Sequence, residues 1–192
     1  MSKRAFNLVV YICVIIGFSG FGKSQDSSRL AHIKTQYNFT NWVGTTKTNY
    51  TFLATNWVPN FSSIGITNFI LRDEGVWTNN RKESVYLFHP TSNLNVIIDC
   101  RIYEREGVTN AQDAMMEDFA TCAAIQPFPS GASNGVNVGD RCYLGYPTNV
   151  NADIVFSRNN VFVTVLVDAT NYSIKSIAEE MDNQIKNIST GN

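Results

Sequence analysis

The stretch "DIVFSRNNVFVTVLVDATNYS", residues 153–173, restricts the fold more than any other part of the chain. It holds two apolar runs separated by Arg158, Asn159 and Asn160. Side chains along a strand point to opposite faces in turn. Ile154 and Phe156 therefore share one face of their strand, and Val161, Val163 and Val165 share one face of the next. The two sets meet on a single buried face only across a loop of even length. A two-residue turn at Asn159 and Asn160 satisfies this, pairing Arg158 with Val161 and Phe156 with Val163; a four-residue loop keeps the same parity. Asparagine tolerates the φ > 0 that a type I′ turn needs at both central positions. The three polar residues thus read as a hairpin turn rather than as a site.

A helix follows. Ile174, Ile177, Ala178, Met181, Ile185 and Ile188 recur at helical spacing and form one apolar stripe. Ser173 suits the N-cap position. The same succession occurs earlier. "SVYLFHP" reads as a strand ended by Pro90. "NVIIDCRIYE" is a second strand, with Val96, Ile98, Cys100 and Ile102 on one face, and "TNAQDAMMEDFATCAA" has helical spacing. A shift of 65 residues lays "VIIDCR" on "VFVTVL". The pattern predicts two ββα units, at residues 84–124 and 153–188. Strands joined by hairpins pair antiparallel. The expected class is α+β: a twisted antiparallel sheet with two helices packed on one face. "NYTFLATNW", "TNFILR" and "DRCYLGY" add candidate short strands, and Gly131, Gly135 and Gly139 mark a loop.

The N-terminus carries Lys3 and Arg4, an almost wholly apolar core from Phe6 to Phe18, and small residues Gly22 and Ser24 before Gln25. This is the pattern of an export signal, so residues 1–24 are expected to be a signal peptide and 25–192 a single domain. The uncharged run from Ala5 to Gly22 is 18 residues, near the lower limit for crossing a bilayer, so an uncleaved anchor at residues 5–22 is the alternative. The expected location is periplasmic or extracellular. Removing Lys3, Arg4 and Lys23 from 15 basic residues leaves 12 against 16 acidic ones, a net charge of −4. No Lys/Arg cluster stands out, which argues against nucleic acid as a partner. Membrane contact is expected only through the N-terminal segment if it stays uncut.

Three cysteines follow the signal. In an exported protein they predict one disulfide, Cys122 with Cys142 or Cys100 with Cys122, and one leftover thiol. Either bridge would close a loop of about 20 residues, contributing roughly 3 kcal/mol. Five Asn-X-Ser/Thr sequons, at Asn38, Asn49, Asn60, Asn171 and Asn187, would be glycan acceptors in a eukaryotic cell. Composition alone gives roughly three to four such matches, so they carry no signal of their own.

No established catalytic or metal-binding motif appears, and no cofactor is implied. His32 and His89 are the only histidines. His89, with an acidic residue such as Asp99, is the least implausible acid–base pair for a hydrolase-type enzyme. Asp99, Arg101, Tyr103, Glu104 and Glu106 lie near the outer face of one strand and are expected to be solvated. Trp42, Trp57 and Trp77 could stack on a sugar ring or a protein partner if exposed, although core packing is their commoner use. The reading that results is an exported, non-catalytic binding protein for a protein or glycan ligand. A small extracytoplasmic hydrolase and a membrane-anchored envelope protein are the alternatives. Mass spectrometry of the exported protein should find Gln25 or a close neighbour at the N-terminus; an intact Met1 overturns the cleaved-signal expectation.

Overall fold

The computed structural model describes residues 32, 35–36, 53, 57–64, 69–71, 76–78, 81–90, 95–121, 130–144, 153–167 and 173–189. The export segment and most of the expected strand at "NYTFLATNW" lie outside the described residues. Two compact units are distinguishable, one of residues 1–43 with 113–127 and one of residues 44–112 with 128–192. All the described strands belong to the second.

In chain order the elements are β1 (Phe69–Leu71), β2 (Val76–Thr78), β3 (Arg81–Pro90), β4 (Ile98–Glu104), α1 (Val108–Thr121), β5 (Arg141–Leu144), β6 (Asp153–Arg158), β7 (Val161–Val167) and α2 (Lys175–Ser189). Short 3-10 turns occupy Ser62–Ile64 and Ala132–Asn134. The sheet runs β1-β3-β4-β7-β6-β5, with β2 also paired to β3. Every described pair is antiparallel. β1 and β2 share one edge of β3, β1 along Phe88–Pro90 and β2 along Arg81–Glu83. Among the described residues, the elements named above make an antiparallel sheet and two helices, an α+β arrangement, as the pattern predicts.

Parity decides where the core sits. Ile98, Cys100 and Ile102 of β4, Val161, Val163 and Val165 of β7, Ile154 and Phe156 of β6, and Leu144 of β5 all point to one inner face. α2 closes that face with Ile177, Ala178, Met181 and Ile185, joined by Ile174 just before the helix, each wholly buried. Burying one such isoleucine contributes roughly 1.5–3 kcal/mol, so the stripe dominates the local energetics. The helix starts at Lys175, one residue later than its apolar stripe suggests; the Lys175 amide donates to Ser173 Oγ across a long 3.4 Å. Of α1, only residues 108–112 belong to the sheet's unit, and there Ala111 is fully buried.

The repeat in the sequence reappears in the pairing. Cys100 and Val165, which the 65-residue shift equates, are direct partners at the junction of β4 and β7. A two-fold relation between two antiparallel hairpins requires such a self-matching pair. The flanking hairpins agree. Phe88 faces Ile98 in the first, and Phe156 faces Val163, the shifted equivalent of Ile98, in the second.

Gly139 is required both by close approach and by its backbone conformation. Gly139 has φ of +68°, and a Cβ there would lie 2.5 Å from the Ser157 carbonyl oxygen and 2.9 Å from Phe156 Cδ2. The next amide, of Asp140, donates to that same carbonyl at 2.6 Å. Gly139→Ala must move the backbone or lose this bond, with an expected loss of about 1–3 kcal/mol. An unchanged urea midpoint would show that the turn into β5 tolerates a side chain.

Candidate functional site

The β6–β7 hairpin has the expected register, with Arg158 opposite Val161 and Phe156 opposite Val163. Its turn is not type I′, however. Asn159 alone of the pair has positive φ, at 52°. Nor are the polar residues merely a turn. Asn159 and Asn160 are both buried, and each is held from elsewhere in the chain. The Asn159 amide donates to Asp140 Oδ2 at 2.6 Å. The Asn160 side chain donates to the Arg105 carbonyl at 2.9 Å, and the Arg105 amide donates back to the Asn160 carbonyl at 2.9 Å.

Arg158 completes the junction. Its Nε and Nη2 donate to the two oxygens of Asp182, on α2, at 2.7 and 2.8 Å. Its Nη1 donates to Asp140 Oδ1 at 2.8 Å. Lys186, one turn further along α2, stands 2.9 Å from Asp182 Oδ2. Only 1% of the Asp182 side chain is exposed. Burial alone would raise its carboxyl, but hydrogen bonds from Arg158 and Lys186, and the Arg158 charge, outweigh that and hold it below the usual carboxylate range. Burial likewise opposes the Arg158 charge, and the two aspartates more than offset it. Four segments thus meet at one small polar knot: the hairpin turn, α2, the turn at Gly139–Asp140 and the chain leaving β4.

A second polar group lies on the outer face of β4, opposite the α2 core. Asp99, Arg101 and Tyr103 alternate with the core residues Cys100 and Ile102. The expectation of solvated charges fails here: Asp99 and Tyr103 are buried, and Arg101 is half-buried. Asp99 is tolerated because Arg101 neutralises it, with Nε at 3.0 and 3.1 Å from the two carboxylate oxygens and Nη2 at 2.7 Å. The Tyr103 ring stacks on Phe162 at 4.9 Å, and the Arg105 guanidinium lies 5.3 Å from the Tyr103 ring centroid. Arg105 also binds Glu83 at 2.9 Å. Glu104 faces the other way and accepts from the Leu53 amide at 3.0 Å. Glu106 is exposed.

His89 and Asp99 share this outer face. Asp99 is opposite Leu87, so His89 lies one alternation further along β3, diagonal to it. Cys100 faces the opposite side and is wholly buried, so no cleft gathers it with them. Burial, with Asp99 adding to it, pushes the Cys100 thiol well above its ordinary pKa. His32 is exposed.

The expected disulfides are not formed. Cys100 and Cys142 are both free thiols, which removes a partner from each proposed bridge; Cys122 lies outside the described residues. Cys100 is fixed at the centre of the sheet beneath α2. The Cys142 sulfur is lodged over Gly131, where a Cβ would come within 2.4 Å of it. Burial pushes that thiol up to about 12.

Of the three tryptophans, Trp57 alone has a described side-chain environment. Trp57 packs partly buried against the core, and its carbonyl accepts from Tyr86 Oη at 2.8 Å. Trp77 sits on β2 opposite Lys82, and Trp42 lies outside the described residues. Among the sequons, Asn60 and Asn187 are exposed, while Asn38, Asn49 and Asn171 lie outside the described residues. Asn60 Oδ1 accepts from the Ser62 amide at 2.9 Å. The Asn60 amide donates to Gln184 Oε1 at 3.0 Å, and Gln184 Nε2 donates back to the Asn60 carbonyl, tying this segment to α2.

Among the described residues, no group of three or more His, Cys, Asp or Glu could hold a metal ion, and no helix is long and apolar enough to cross a membrane. No protein-family model, curated protein or solved structure matches this chain.

Sequence reasoning missed the Arg158–Asp182 pair, although one signal for it exists. Asp182 follows Ala178 by four residues, which places it on the edge of the apolar stripe. A charge on a buried helix face demands a partner.

Asp182→Asn leaves Arg158 and Lys186 without their shared carboxylate, and a loss of about 3 kcal/mol or more is expected at neutral pH. The unfolded Asp182 takes up its proton near the ordinary value of about 3.9, and the folded one only at lower pH. The contribution is therefore complete above that range and lost as pH falls through the folded value. Urea midpoints of wild type and Asp182→Asn should converge on acidification; a constant gap would refute the ion-pair origin. Asn160→Gly creates the Asn-Gly sequence favoured by hairpins, yet removes the bond to the Arg105 carbonyl. It should cost about 1–2 kcal/mol in the same assay, whereas a neutral or stabilising result would reduce the pair to a simple turn.

Proposed function

We propose that this chain is an exported binding or interaction protein, acting in the periplasm or outside the cell on a protein or glycan ligand without catalysing a reaction. The observation that carries this reading is how its reactive side chains are used. Asp99 is held by Arg101, Asp140 and Asp182 by Arg158, and Glu83 by Arg105. The thiols of Cys100 and Cys142 are pushed up by burial, away from the thiolate that nucleophilic chemistry needs. Groups suited to acid–base or nucleophilic work thus hold the fold together. The basic and apolar N-terminal segment supports export.

One arrangement favours a second reading, a hydrolase-type enzyme: His89 and Asp99 stand diagonally on the same sheet face. Two measurements on the purified full-length protein separate them. Turnover of ester, phosphoester, glycoside and peptide substrates should match the buffer blank; turnover abolished by His89→Ala would establish the enzyme. Saturable binding is expected on a glycan panel or in photo-cross-linking within the exporting cell. Its absence from both would overturn the binding reading.

A further inference from the structure

We draw no further inference here: the strongest candidate, the outer face of the sheet around Asp99, Arg101, Tyr103 and the buried Ser157 hydroxyl, carries none because nothing in the structure shows what covers it.

Discussion

The apolar stripe of α2 against the inner face of β4, β7, β6 and β5 is the contact on which the rest depends. It explains the strict alternation of the strands and the two-residue hairpin that keeps both strands in phase. A slip of one residue would turn Val161, Val163 and Val165 outward and put Phe162 and Thr164 under the helix. The free energy of burying those valines and the facing isoleucines enforces the register far more strongly than any turn preference.

The polar knot around Arg158 has a different physical role. Removing a buried carboxylate and guanidinium from water is costly, and their attraction does little more than offset that cost. The pair is therefore weak as a source of net stability. It is specific in position, however, because Arg158 satisfies Asp182 through two nitrogens and Asp140 through the third. A helix that slid or rotated on the apolar face would keep much of its hydrophobic burial but would strand a buried charge. Packing supplies the attraction, and the knot excludes near-alternatives. The Asn160–Arg105 bonds extend the same constraint to the end of β4.

Much of this architecture was legible in the sequence, because its information is periodic. The alternation at 153–167 and the helical stripe at 174–188 fixed the second ββα unit, including the pairs Arg158–Val161 and Phe156–Val163. The repeat predicted the first unit, with Cys100 on its inner face. The sites were less legible, because their partners are distant. Asp182 is 24 residues from Arg158, and Asn160 is 55 from Arg105. No local pattern announces such pairs. The type I′ expectation failed for a related reason: tertiary bonds to both asparagines override the intrinsic turn preference. The disulfide expectation rested on compartment and spacing, which do not reveal that the Cys142 sulfur fills the space over Gly131. Asp99 looked solvated because alternation assumes a wet outer face; its carboxylate is instead closed by Arg101.

The self-matching pair of Cys100 and Val165 has a consequence for how the chain assembles. β3 with β4 and β6 with β7 are each joined by short connections, and each hairpin can form by local search. The pairing of β4 with β7 joins residues 65 positions apart. Loop-closure entropy makes that contact the slow one. The middle of the finished sheet, its most buried region, is thus a seam between two locally assembled halves. The centre would be the last part to close, even though its amides lie deepest in the folded protein.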